Sequence, residues 1–449
     1  MYNVGLISLG CEKNRVDAEI LLSKIDSCER YSVVYEFSEA DIIIVNTCGF
    51  IEDAKRESIE EILNVVSLKK DKKSRLKYVI STGCLAQRYK EELLNEIPEL
   101  DGVIGIGCNS DIVFLLDEVT KDDKVCKFED KLNMPLYGNR ILTTPSHYAY
   151  LKIADGCDNK CTYCAIPLIR GRFRSRSIEN ILEEARRLSK EGVRELLVIA
   201  QDVTRYGEDI YGKPSLPRLL KELCKVEGIE WIRLLYCYPD RIDDELIDLI
   251  ANENKILKYI DVPLQHCNER VLKSMNRRGS FGLLSELISK LRAKIPNVKI
   301  RTTFICGFPG ETDFEFEELV KFVNDCKFER MGCFMYSNEE DTPAFNMKDQ
   351  IDEDIKSSRC DILMREQERI IENYNRSQIG NVIKVIVDGF DEELNMWIGR
   401  SEADSPDVDG RVYFNFEGNI DVCAGKFVYV KILSYDQCDL VGEVCRVCK

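Results

Sequence analysis

The sequence predicts an α/β protein in three consecutive parts: an N-terminal α/β layer domain over residues 1–135, an open barrel of six strand–helix units over 141–375, and a small all-β barrel over 378–445. Three observations predict it. Short β-branched runs alternate with helix-patterned stretches at the start of the chain, as buried parallel strands do. The same alternation then recurs six times. Beyond residue 378, Val, Ile, Tyr and Phe alternate with polar residues between Gly and Asp turns, the period of half-buried antiparallel strands. A length of 449 residues suits about three domains.

In the first part, residues 3–8 (NVGLIS), 41–46 (DIIIVN) and 78–81 (YVIS) read as strands, and 53–66 as a helix. Residues 120–140 are polar and irregular and read as a linker. In the second part the strand candidates are 150–154, 195–200, 231–236, 259–262, 299–305 and 332–336. Ile178, Ile181, Leu182, Ala185 and Leu188 share one helical face that ends at Gly192. Thr312 and Glu315 have capping-box spacing. In the third part the runs VIKVIVDGF, RVYFNFEG and KFVYVKILSYD predict a small barrel or sandwich.

Apolar residues make up 44% of the chain, which excludes a disordered class. No apolar run reaches the ~18 residues of a membrane span. The N-terminus lacks the pattern of a signal peptide, so a cytoplasmic protein is expected. The net charge of −16 argues against a diffuse nucleic-acid coat. Twenty cysteines accompany only two histidines, His147 and His266, so a metal centre should rest on thiolate, which favours iron–sulfur over catalytic zinc. Cys306 and Cys333 sit inside apolar runs and read as core residues.

The sharpest motif is Cys157-x-x-x-Cys161-x-x-Cys164, with Tyr163 before the last thiol, on the loop after the first barrel strand. Three thiolates fill three corners of a [4Fe–4S] cluster and leave one iron open. A zinc knuckle would need a fourth ligand. Cys11, Cys48 and Cys84 form a second set. Each sits just past the end of a predicted parallel strand, and those ends share one edge, so the thiols can converge there.

The first motif resembles the radical S-adenosylmethionine (SAM) superfamily, whose open iron holds SAM for reductive cleavage to a 5′-deoxyadenosyl radical. Further strand ends then fit a SAM pocket: Gln201 and Asp202, Gln265 and His266, and the loop Gly307, Phe308, Pro309, Gly310 and Glu311. His266 reads equally as a ligand contact or a structural histidine.

Both thiol sets, with the three-part organisation, resemble the methylthiotransferases over nearly the whole chain. The resemblance implies two [4Fe–4S] clusters: one on Cys11, Cys48 and Cys84 that carries or receives sulfur, and one on Cys157, Cys161 and Cys164 that cleaves SAM. It also implies a C-terminal TRAM-like domain and an electron donor such as flavodoxin or ferredoxin. The motif SLGCEKNRVDAE at residues 8–19 resembles the branch that modifies the β-carbon of an aspartate in the twelfth small-subunit ribosomal protein. The other branch modifies an adenosine of tRNA. A non-catalytic iron–sulfur adaptor of the ribosome is the rival from another class.

Charge bears on the choice of branch. From residue 380 onward seven basic residues face thirteen acidic ones, a net of −6, which suits a basic protein better than RNA. The basic run 170–176 (RGRFRSR) could bind RNA phosphate, order the cluster loop or meet an acidic group. Cys445 and Cys448 carry no assigned role.

Overall fold

The computed structural model describes every residue except 72, 122, 417–421 and 449. Three of the C-terminal charges counted above (Glu417, Asp421 and Lys449) therefore lie outside the described residues.

The chain divides into two compact bodies. The first comprises Met1–Thr143, Lys152–Arg176 and Ser337–Phe345, and the second Thr144–Leu151, Ser177–Tyr336 and Asn346–Lys449.

The first body is organised on a parallel sheet of β1 (Tyr2–Ser8), β2 (Tyr31–Val33), β3 (Ile42–Thr47), β4 (Tyr78–Gly83), β5 (Gly102–Ile104) and β6 (Val125–Lys127), in the order β2-β1-β3-β4-β5-β6. This is a doubly wound order that reverses between β1 and β3, so the carboxyl ends of those strands flank a crevice. Apolar side chains fill both faces. Val4, Ile42, Ile44 and Ile80 lie on one side; Ile43, Val45 and Val79 lie on the other. Segment 120–140 is not merely a linker, because it supplies edge strand β6. Its Val-Cys-Lys core is too short, and its flanks too polar, to stand out as a strand in the sequence.

In the second body β7 (Tyr148–Lys152) begins a six-stranded sheet; its last residue, Lys152, is counted with the first body. After the short pair β8 (Ala154–Asp155) and β9 (Arg174–Ser175), which belongs to the first body, the sheet continues with β10 (Glu195–Ile199), β11 (Trp231–Leu234), β12 (Ile256–Asp261), β13 (Lys299–Cys306) and β14 (Arg330–Met335). Strands β10 to β14 pair in parallel, each with the next, and the sheet stays open. A 26-residue helix, Glu353–Gln378, leads to β15 (Val382–Asp391), β16 (Met396–Ser401), β17 (Val412–Asn415), β18 (Phe427–Asp436) and β19 (Asp439–Val447). These close into a barrel in the order β15-β16-β17-β19-β18, with one parallel pair, β17 and β19.

A seam of buried ion pairs fixes the C-terminal barrel to the open sheet. Glu195 accepts from Arg233 at 2.8 Å and from Arg400 at 2.6 Å. Arg400 also grips Asp388, which lies 2.7 Å from His147 Nε2. Arg330 pairs with Asp404, and Tyr259 donates to Asp409 at 2.7 Å. Trp231 meets Phe427 edge-on, with ring centroids 4.9 Å apart. Three of the thirteen acids in that net charge, Asp388, Asp404 and Asp409, are thus held by partners inside this body. Among the described residues no helix is long and apolar enough to cross a membrane.

Candidate functional site

The sheet delivers Cys11, Cys48 and Cys84 to one place. Cys11 caps the helix Glu12–Asp26 after β1, Cys48 follows β3, and Cys84 opens the helix Cys84–Tyr89 after β4. Polar side chains lock the loops together. Asn14 Nδ2 donates to the carbonyls of Leu9 (2.7 Å), Asn46 (3.3 Å) and Thr47 (3.2 Å). Ser58 clamps Cys48 by accepting from its N–H and donating to its carbonyl.

Two glycines let the loops close. Gly10 is left-handed at φ +81°, and a Cβ there would lie 2.5 Å from Cys48 Cβ and 2.7 Å from its Sγ. Gly83, at φ +93°, would place a Cβ 2.5 Å from the Thr47 carbonyl oxygen.

The electrostatics fit a metal group. Burial, reinforced by the neighbouring Cys84 and Cys11, pushes the Cys48 thiol up to about 12. Burial likewise raises Cys84, while Arg170 pulls it back. Burial disfavours the thiolate forms of Cys48 and Cys84, and a polynuclear iron centre would supply the positive charge that favours them.

Arg170 reaches this triad from the helix Ile166–Arg170, which follows the second triad. Its guanidinium lies 3.6 Å from Cys84 Sγ and donates to Asp17 at 2.9 Å and Asp155 at 3.0 Å. Lys152 also pairs with both carboxylates. Two cations and two carboxylates thus form a buried neutral quartet. Burial alone would raise the Asp155 carboxyl, but Arg170 and Lys152 outweigh it and hold it well below the usual carboxylate range. Cys84 packs on Ala165 and Ile169, the first of which directly follows Cys164.

Cys157, Cys161 and Cys164 share one loop, all partly exposed. Cys157 N donates to the Gly171 carbonyl at 3.1 Å and Cys164 N to that of Cys161 at 3.1 Å. Cys157 Sγ accepts from Asn159 N at 3.5 Å. Tyr163 is partly exposed on the same loop. The basic run orders this segment: Arg176 donates to the Lys152 carbonyl, Arg174 to that of Met134, and exposed Arg172 pairs with Asp158.

Apart from Tyr163, read as a cofactor contact on the cluster loop of the first body, the residues read as SAM contacts lie in the second body at the carboxyl ends of β10, β12 and β13, and several have other partners. Asp202 is buried and accepts from Thr204 N at 3.1 Å and from Thr204 Oγ1. His266 is buried; its Nδ1 accepts from Asn268 N at 3.0 Å, which turns Nε2 toward Glu311, 3.6 Å away. Glu311 is buried too, accepting from Arg359 at 2.7 Å and Gly307 N at 3.1 Å. These side chains brace the loops at the strand ends, and His266 Nε2 is buried without a hydrogen-bond partner. Beside Gly307, at φ +74°, a Cβ would lie 2.3 Å from Lys356 Cγ. Gly310 does face open space, with only an Arg270 nitrogen at 3.8 Å. Gln201 and Gln265 are partly exposed, Gln265 in left-handed backbone at φ +72°, and Pro309 is buried.

Residues 151–323 match the radical SAM superfamily, residues 3–105 the uncharacterized protein family UPF0004, and residues 379–445 the TRAM domain. The chain is 49% identical over 444 residues to the ribosomal protein uS12 methylthiotransferase RimO of Thermoanaerobacter sp. (strain X514), covering 99% of this chain and 100% of that one. It is 50% identical over 448 residues to the protein of that name from Caldanaerobacter subterraneus subsp. tengcongensis, with coverage of 99% and 100%. The chain belongs to the uS12 methylthiotransferase family. The radical SAM methyltransferase TsrM of Kitasatospora setae, solved with cobalamin and a [4Fe–4S] cluster, shares the fold at TM-score 0.58 and 14% identity, over 76% of this chain and 77% of that one.

Membership of the radical SAM superfamily assigns SAM and a [4Fe–4S] cluster to this uS12 methylthiotransferase family member. Both thiol sets, Cys11, Cys48 and Cys84 and Cys157, Cys161 and Cys164, lie in one body. Sequence reasoning missed Asn14, Ser58 and the Asp17–Lys152–Asp155–Arg170 quartet. The sequence signal for the quartet was the basic run, whose first member, Arg170, is one of its two buried cations.

Proposed function

We propose that this chain adds a methylthio group to the β-carbon of an aspartate in ribosomal protein uS12. The observation that carries this reading is the pair of thiol triads, each leaving a four-iron cluster one protein ligand short, seated in a single body. Cys11, Cys48 and Cys84 would hold the second cluster, for sulfur, and Cys157, Cys161 and Cys164 the cluster that binds SAM. When bound, the latter supplies the one-electron cleavage that yields a carbon-centred radical, and an unactivated C–H bond needs this because no side-chain base could remove its proton at neutral pH.

The chain's own residues do the rest. The quartet neutralises its own charge beneath Cys84. Asn14 and Ser58 fix the loops. Gly310 leaves an open approach beside the loop that Glu311 and Arg359 brace. A flavodoxin or ferredoxin class of donor would deliver electrons, and the setting is cytoplasmic.

Substrate choice rests on the acids of the C-terminal barrel that remain outward. Glu392 and Glu393 are exposed, whereas Asp391 accepts from the N–H groups of Glu393 and Leu394 and shapes the turn. An outward acidic turn suits a basic ribosomal protein.

The test offers reconstituted enzyme both uS12 and tRNA and reads each product by mass spectrometry. Methylthio-aspartate alone supports the reading, and methylthio-adenosine alone assigns the chain to the tRNA reaction instead. Reversing Glu392 and Glu393 to Lys should weaken uS12 binding by about three-fold to ten-fold at low salt, and less as salt is raised.

A further inference from the structure

A third set of thiols lies in the second body, outside the cluster sites. Cys306 ends β13, Cys333 lies on β14, and Cys360 lies on the helix Glu353–Gln378 that crosses both strands. Cys306 Sγ and Cys333 Sγ are 3.2 Å apart. Cys360 Sγ lies 3.4 Å from the Cys333 carbonyl, to which it donates. Cys306 is fully buried, while Cys333 and Cys360 are partly exposed.

The spacing distinguishes a disulfide from a metal site. Thiolates sharing one tetrahedral zinc, with bonds of about 2.3 Å, stand ~3.8 Å apart. The Cys306–Cys333 pair is closer than that and needs to close by only ~1.2 Å to reach disulfide bonding distance. The exposed members then offer a path for reagent to the buried one.

We infer that Cys306, Cys333 and Cys360 form a thiol–disulfide exchange site in which Cys306 and Cys333 close a reversible disulfide when a low-molecular-weight disulfide accepts their two electrons. Cys360 is the entry thiol. It is partly exposed and lies against Cys333, so it can meet the reagent and pass the disulfide inward. The Cys360 thiolate attacks one sulfur of the reagent, breaking its S–S bond and releasing one reagent thiolate. Cys333 then attacks Cys360 Sγ and displaces the second reagent thiolate. Cys306 attacks Cys333 and releases Cys360 as a thiol. Two protein thiols lose two electrons and two protons, and one disulfide reagent becomes two thiols.

The location gives the bond a consequence. Cys306 immediately precedes the loop 307–311, and Lys356 and Arg359, on the same helical face as Cys360, contact Gly307 and Glu311. Closing the bond ties the end of β13 to β14 beneath that loop.

The test uses anaerobic holoenzyme, so that cluster-ligating thiols are covered, with oxidised glutathione as the reagent. After alkylation of free thiols and trypsin digestion, Cys306, Cys333 and Cys360 fall on separate peptides, 302–321, 331–348 and 360–365. The expected result is a cross-link of 302–321 to 331–348 that dithiothreitol reverses. Cys306→Ser should arrest the reaction with 331–348 linked to 360–365. Cys360→Ser should slow formation of the first link at least about ten-fold. Complete alkylation of all three thiols, or glutathione adducts without a cross-link, overturns the proposal. A Cys360→Ser variant that cross-links at the parental rate overturns the assignment of Cys360 as entry thiol.

Discussion

Cys157, Cys161 and Cys164 fall within one short loop and are all partly exposed, whereas Cys11, Cys48 and Cys84 come from three strand ends and two of them are buried. The loop triad needs only local backbone: its N–H and carbonyl groups are tied to one another and to Gly171 within the segment. The buried triad needs the whole parallel sheet in register, two left-handed glycines and the side chains of Asn14 and Ser58. A site made by a loop is therefore sensitive to its own ligands, while a site made by topology is sensitive to residues that never touch the metal.

The largest expected effect breaks the two triads separately. Changing Cys11, Cys48 and Cys84 together to Ala should remove about half of roughly eight irons per chain and abolish methylthio product. SAM cleavage by the remaining cluster should survive. The matching triple change at Cys157, Cys161 and Cys164 should remove the other half and abolish cleavage as well. Iron assay and quantification of 5′-deoxyadenosine after dithionite reduction read both outcomes, and full iron in either variant would reject that ligand set.

Gly10→Ala sharpens the contrast. Its methyl group would overlap Cys48 Sγ, so the buried cluster should be lost, at about four irons, while the loop cluster remains. Gly310→Ala in the second body meets open space, and although the left-handed backbone at φ +74° strains it, both iron complements should remain intact.

Arg170 joins the two triads, so Arg170→Gln should weaken both unequally. Removing one cation from the buried quartet leaves two carboxylates with Lys152 alone and should cost about 3–5 kcal/mol of stability, read by calorimetry on cluster-free protein. In the variant lacking the loop thiols, the same change removes a donor near Cys84 and should shift the buried cluster to a more negative midpoint potential. An unchanged potential would confine Arg170 to a structural role.

The smallest effect concerns the second body and leaves both triads untouched. Burial would raise Glu315, but Arg270 and Thr312 hydrogen bonds dominate and hold its carboxyl at about 2. A carboxyl depressed on folding contributes stability above its unfolded pKa of about 4.5 and loses it as pH falls toward about 2. Cluster-free Glu315→Gln should therefore be slightly less stable at pH 7 and show a shallower loss over that acid range in thermal melts.

These contrasts also explain what the sequence could reveal. The loop triad was legible because its ligands are close in the chain. The buried triad was legible because each thiol follows a strand, and strand ends of a parallel sheet share an edge. The quartet was not, because Asp17 and Arg170 carry no pattern that marks them as partners, and a run of arginines looks the same whether it binds phosphate or fills a core. The acids of the C-terminal barrel misled for a related reason. Asp388, Asp404 and Asp409 count toward net charge, yet their partners are Arg400, His147, Arg330 and Tyr259, brought there only by folding. Strand β6 hid among polar residues, and Gly307 owes its missing side chain to Lys356 on a helix that starts more than forty residues later.

The ion-pair seam that fixes the C-terminal barrel to the open sheet has a mechanical meaning. A domain on a slack tether raises the local concentration of its partner throughout the volume the tether can sweep. A domain clamped by Glu195, Arg233, Arg400, Arg330 and Tyr259 cannot sweep, and it presents its outward turn at one angle to the sheet. The orientational freedom of that element is given up during folding, before any macromolecule arrives, so docking need not restrict it again. The barrel is thus held as a jig and not as a leash: anything that docks on its outward turn must do so in the pose the clamp allows.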